Sequence, residues 1–150
     1  MTISIIIEDK LATRGIAEYN YEYVEEGIYQ SNQNLPYSWK VANVRSLQDN
    51  GSNSLGDYQK HIDIAFNMIR EHGKVAICCS YGISRSNAIA LGVLVKYFDM
   101  NFDEAEILIK QKVEKADINP EHIKKLKKLF NKDKDENDAN TEIETKKNEE

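Results

Sequence analysis

Residues Val75–Ser86 read VAICCSYGISRS, and this stretch decides the fold. Lys74–Cys78 (KVAIC) is short, apolar after its first residue and bounded by Gly73, as a strand buried on both faces should be. Beyond Cys79 comes a tight loop containing Gly82. From near Ser86 the chain continues as Ala88-Ile89-Ala90-Leu91-Gly92-Val93-Leu94-Val95, apolar on nearly every side of a helix and therefore destined for a core. Strand, loop and buried helix in that order aim backbone N–H groups into one small space, and the helix N-terminus adds positive potential there. Gly82 lets the loop turn without steric cost. Arg85, six residues after Cys79, brings a planar fork that can grip two oxygens of a phosphate. Cys79 sits among these donors, which would stabilise negative charge on its sulfur and make it a nucleophile. Ser86 can donate its hydroxyl to the same sulfur. A lone cysteine at a strand end is ordinarily a small buried hydrophobe. Glycine, arginine and buried helix following it at this spacing argue for chemistry instead.

Upstream, Tyr58, Ile62, Ala65, Phe66 and Ile69 share one helical face, and Gly73 follows that helix where a left-handed cap is favoured. Before it, Asp49–Gly56 (DNGSNSLG) is a loop, Trp39–Val44 a strand, Ser31–Pro36 a loop and Gly27-Ile28-Tyr29 a strand. Thr2–Ile7 is either a strand or an unstructured start. Downstream, a third helix runs from Phe102 to about Lys115 with Ala105, Leu108, Ile109 and Val113 inward. Pro120 opens a last helix with Ile123, Leu126, Leu129 and Phe130 inward. The expected class is α/β: a small central, mostly parallel sheet flanked by helices.

A chain of 150 residues and 17.2 kDa fits one domain. Residues 131–150 hold eight acids against four lysines and so carry −4 of the net charge of −5. A folded domain over 1–130 and an acidic, disordered tail over 131–150 are expected. The acidic balance argues against nucleic acid as a partner. No apolar run reaches the ~18 residues of a membrane span, so no membrane partner is expected. MTISIIIEDK lacks the basic region of a secretory signal, and the adjacent Cys78 and Cys79 exclude a disulfide scaffold. A cytoplasmic monomer is the expectation. His61, His72 and His122 show no ligand spacing and are expected at the surface, and Trp39 in the core.

Cysteine, five residues, arginine and serine, in the form CSYGISRS after an apolar strand, resembles the signature of the cysteine-dependent protein tyrosine phosphatases, and the Ser-Arg-Ser ending is most similar to their dual-specificity branch. The likeness runs from about Gln48 to Phe130, through LVKYF, FDEAEILIKQK and INPEHIKKL. It implies that Cys79 takes the phosphoryl group, that the backbone of Ser80, Tyr81, Gly82, Ile83, Ser84 and Arg85 with the Arg85 side chain binds phosphate, and that Ser86 assists release from Cys79. No metal or cofactor is implied. The resemblance also implies an aspartate on a mobile loop, some thirty residues before the cysteine, that protonates the departing oxygen. Asp49 lies 30 residues before Cys79, inside the Gly/Ser/Asn loop. Asp57 competes for the role, although its place at a helix start already explains it as an N-cap. Asp63 falls too far along the helix.

Two departures stand out. Cys78 occupies the position where the family has histidine; strand alternation turns it away from Cys79 and predicts a buried residue, not a second nucleophile. The segment between Gly27-Ile28-Tyr29 and Asp49 is shorter than in relatives, as in a trimmed domain. The resemblance implies phosphorylated proteins as substrates, with phosphotyrosine and phosphoserine/phosphothreonine both open. A phosphoprotein-binding module without turnover is the alternative, and sulfur transfer by a rhodanese-like loop a more distant one.

Overall fold

The computed structural model describes residues 3–15 and 39–131. Its strands are β1 (Ser4–Ile7), β2 (Leu11–Gly15), β3 (Lys40–Asn43) and β4 (Val75–Cys79), lying in the order β1-β2-β4-β3. β4 runs parallel to both neighbours: Leu11 to Gly15 pair with Val75 to Cys79 on one edge, and Lys40 to Asn43 with Val75 to Cys78 on the other. β1 is antiparallel to β2. The sheet is therefore the small, mostly parallel one that the sequence predicts. Pattern reading passes over β2, whose LATRG carries Thr13 and Arg14, yet all five of its residues are buried. Trp39–Val44 and Thr2–Ile7 correspond to β3 and β1. Gly27-Ile28-Tyr29, Ser31–Pro36 and the tail from Lys132 onward lie outside the described residues.

Among the described residues there are four helices: α1 (Leu55–His72), which joins β3 to β4, and, after β4, α2 (Arg85–Tyr97), α3 (Phe102–Lys112) and α4 (120–131). α1 begins before Tyr58 because Ser54 caps it. The Ser54 hydroxyl accepts from the Asp57 N–H at 3.1 Å and the Asp57 carboxylate accepts from the Ser54 N–H at 2.8 Å, a reciprocal capping box. Asp57 is thus the third residue of the first turn, not the N-cap expected from sequence. α3 stops at Lys112 rather than near Lys115, because Val113 turns to extended backbone and buries its side chain in the core.

Alternation along β4 divides the core. Val75, Ile77 and Cys79 face the helices, whereas Ala76 and Cys78 face a second cluster with Ala12, Trp39 and Val41. Cys78 is buried there, away from Cys79, and Trp39 is core as expected. Every residue of α2 from Ser86 to Leu94 is buried, since the helix packs on the sheet and between α1 and α3. That enclosure fixes its N-terminus, and hence the loop leading into it. Among the described residues no helix is long and apolar enough to cross a membrane.

Candidate active site

Cys79 ends the central parallel strand β4, and the turn that follows is held in place by small groups. Gly82 takes φ of 72°, a left-handed conformation that residues with a Cβ adopt only under strain, and its N–H points at Cys79 Sγ from 3.3 Å. Ser86 Oγ, in the first turn of α2, lies 3.2 Å from the same sulfur, so its hydroxyl can donate to a thiolate. Behind the turn, Gly15 at the end of β2 touches the loop backbone so closely that a Cβ would stand 2.3 Å from the carbonyl carbon of Tyr81. Asn87 staples the turn to α2: its Nδ2 donates to the carbonyls of Gly82 and Ile83, each at 3.0 Å, and its Oδ1 accepts from Thr13 Oγ1 at 2.9 Å.

Arg85 ties this loop to the segment before α1. Nη1 donates to the carbonyls of Arg45 and Leu47, each at 3.0 Å, and Nη2 to Ser80 Oγ at 3.0 Å. Asp49, four residues beyond Arg45, reaches the same loop through Oδ1. That oxygen accepts from Ser84 Oγ at 2.7 Å and from His122 Nε2 at 2.8 Å. Burial pushes the Asp49 carboxyl up, but the hydrogen bonds from Ser84 and His122, with the nearby Arg85 charge, outweigh it and hold the group below the ordinary carboxylate range. Cys79, Arg85 and Asp49 together line a cavity of about 400 Å3, whose lining also includes the exposed Tyr81 and Ile83, and Asp117, whose N–H donates to the Ile83 carbonyl at 3.0 Å. The N-terminal end of α2 opens on this cavity and favours negative charge in it.

The structure therefore brings together Cys79, Ser80, Tyr81, Gly82, Ile83, Ser84, Arg85, Ser86 and Asp49. It leaves Asp57 in its helix cap, where the Ser54 backbone and hydroxyl keep its carboxyl low, and Asp63 on α1 against Lys96 at 2.8 Å. The segment carrying Asp49, which the resemblance implied to be a mobile loop, is also cross-linked. Asn53 accepts from the Gln48 N–H at 3.0 Å and donates to the Gln48 carbonyl at 2.8 Å, and Asn119 Nδ2 donates to the Asp49 carbonyl at 2.8 Å. Among the histidines only His72 is exposed as expected. His61 is buried beside Ser46 Oγ at 3.1 Å, and His122 is fully buried, with Nδ1 2.7 Å from Tyr58 Oη. Their burial follows from partners on other elements, which no local pattern announces. Asn87, Gly15 and Tyr58 likewise escape a sequence reading; the one local signal was the polar Asn87 inside an otherwise apolar helix. Among the described residues no group of three or more His, Cys, Asp or Glu is arranged to hold a metal ion.

Comparison with known proteins bears on the fold and the family. The structure of a Tyr-to-His variant of human DUSP28 superposes with a TM-score of 0.70 at 14% identity, over 91% of this chain and 99% of that one. A mouse putative dual specificity phosphatase complexed with zinc tungstate gives 0.61 at 22% identity, over 85% of each chain. A leucine rich repeat and phosphatase domain containing protein from Entamoeba histolytica gives 0.54 at 21% identity, over 61% of this chain and 63% of that one. These likenesses speak for the fold. In sequence, 58 residues are 38% identical to a probable serine/threonine-protein kinase of Dictyostelium discoideum, 36% of this chain but 2% of that protein's length. The family model described as the catalytic domain of dual specificity phosphatase matches residues 17–132, most of the chain. The chain belongs to the dual specificity phosphatase catalytic-domain family.

Proposed function

We propose that this protein hydrolyses phosphate monoesters on tyrosine, serine or threonine side chains of proteins, through a phosphocysteine on Cys79. One observation carries the reading: Cys79 Sγ receives the Gly82 N–H at 3.3 Å and lies 3.2 Å from Ser86 Oγ, in the cavity that Asp49 and Arg85 also line. In the first step the thiolate attacks phosphorus, the bond to the substrate oxygen breaks, and Asp49 gives that oxygen a proton. In the second, water attacks phosphorus while Asp49 takes its proton. The P–S bond breaks as the Ser86 hydroxyl donates to the departing sulfur. The backbone of Ser80 to Arg85 and the Arg85 fork hold the phosphoryl oxygens.

The same reading makes phosphorylated proteins the partners, with residues 1–130 as the catalytic unit, residues 131–150 as an acidic appendage outside it, and a cytoplasmic monomer as the working form. The short Ser80–Ser84 turn carries no lysine, which suits a singly phosphorylated side chain better than a polyphosphorylated ring. Cys79→Ser is the direct test. A serine hydroxyl is not ionised at neutral pH, so turnover of an aryl phosphate should vanish while a phosphopeptide still binds. Rapid acid quench of the wild type should trap one phosphate on Cys79. Turnover surviving in Cys79→Ser would remove the cysteine mechanism, and phosphopeptide binding by the wild type with no phosphate release would leave a binding module.

A further inference from the structure

Asp49 has two carboxylate oxygens, and the structure treats them differently. Oδ1 accepts from Ser84 Oγ and from His122 Nε2, at 2.7 and 2.8 Å. The directions of these bonds are set by groups that can only donate. The Asn119 N–H donates to Ser84 Oγ at 2.9 Å, which leaves the hydroxyl proton to point at Asp49. The backbone N–H of Gln48 donates to Asn53 Oδ1, so Asn53 Nδ2 must face the other way and donate to Tyr58 Oη at 3.2 Å. Tyr58 then has its own proton for His122 Nδ1, 2.7 Å away, and with Nδ1 accepting, the imidazole proton sits on Nε2, facing Asp49. Asn53, Tyr58 and His122 are 5%, 0% and 0% exposed, so no water competes for this chain of bonds.

We infer that His122 is the positioning residue for the proton donor: by occupying Oδ1 with a fixed N–H, it confines the transferable proton of Asp49 to Oδ2. The inference rests on the reading of Asp49 as general acid. Tyr58 acts one step behind, as the group that selects the imidazole tautomer. A proton confined to one oxygen presents one geometry to the leaving group, and the rate of general acid catalysis depends on that geometry. His122 touches no reacting atom.

The test compares kcat/KM for two substrates, each variant at its own optimal pH. A phosphothreonine peptide has an alkoxide leaving group that needs a proton; an aryl phosphate with a nitro-substituted ring has a leaving group stable as an anion. His122→Phe, of similar size and without a donor, should lose about tenfold on the peptide and less than twofold on the activated ester, a fraction of the roughly 10²–10⁴ that a general acid contributes. His122→Gln keeps an N–H near the position of Nε2 and should recover most of the peptide rate. Tyr58→Phe keeps the ring and removes the tautomer lock together with the acceptor of the Asn53 bond. It should lose several-fold on the peptide alone, and it carries the test should His122→Phe not fold. An equal loss on both substrates, or none on either, overturns the inference. Asp49→Asn serves as reference. If it discriminates between the substrates and neither phenylalanine variant does, only the role of His122 is wrong. If Asp49→Asn itself shows no discrimination, Asp49 is not the acid and both readings fall.

Discussion

Alanine at position 15 places a methyl group where the end of β2 meets the loop after Cys79. A Cβ there would stand 2.3 Å from the carbonyl carbon of Tyr81, 2.6 Å from its oxygen and 2.7 Å from its Cα, whereas ordinary contact begins at 3.4 Å. All three atoms belong to backbone, so no rotamer relieves the clash. The loop must retreat from β2 by about 1 Å, and a displacement of that size at a catalytic site costs roughly 10²-fold in rate. Gly15 pairs with Cys79 in the sheet, and a Cβ on Gly82 would in turn stand 2.6 Å from Gly15 N, so the strand and the turn constrain each other and the loop has little room to yield cheaply. Overpacking of this kind destabilises by about 1–3 kcal/mol, which leaves the domain folded. Gly15→Ala should therefore keep its far-ultraviolet circular dichroism while kcat/KM on an aryl phosphate falls about 10²-fold and affinity for tungstate weakens. Gly56→Ala, whose Cβ would meet only Ser54 Oγ at 3.7 Å, is the matched control and should change neither. A Gly15→Ala enzyme within threefold of wild type would show that the loop does not rest on β2, and the account of how it is held would be wrong.

Asn87→Ala removes three hydrogen bonds, two of them buried, and leaves Thr13 Oγ1 and two loop carbonyls short of a partner; at roughly 1 kcal/mol each, urea denaturation should show a loss of about 3 kcal/mol, and a loss below about 1 would contradict the staple. Iodoacetamide near pH 7 should label Cys79, which lines the cavity, and not Cys78, whose fully buried thiol is pushed up to about 12 by burial. Inorganic phosphate should protect, and labelling that persists in Cys79→Ser would refute the assignment. The folded state holds the Asp49 carboxyl below its unfolded value, so its ionised form adds stability above the unfolded pKa, and that contribution fades as pH falls through the folded one. The difference in urea midpoint between wild type and Asp49→Asn should accordingly shrink as the pH is taken from 7 down past about 3.9; a gap that stays constant would mean that Ser84 and His122 do not favour the anion.

What could be read from the sequence was whatever the chain keeps local. Cys79, Gly82, Arg85, Ser86 and the apolar helix are contiguous, so the order of residue types already implies a strand end, a turn and a helix N-terminus facing one point. β2 could not be read this way. Thr13 and Arg14 look like surface residues until β1 and β4, the latter more than sixty positions away, take both edges of the strand. His122 shows the same limit from the other side: its surroundings are Tyr58 and Asp49, 64 and 73 residues distant, and a polar residue two places into a charged helix carries no mark of them. The capping box shows local information read too coarsely, since both Ser54 and Asp57 were visible and only their division of labour was not.

The contact between Asp49 and His122 also sets an order of events in time. The chain is made from its N-terminus, at about 5–20 residues per second, and α4 leaves the ribosome well after β4 and α2. Until position 122 has emerged, the Asp49 carboxylate lacks one of its two donors. On the reading of Asp49 as general acid, the aligned proton source is complete only with the last helix, so competence would come with α4 rather than with the cysteine.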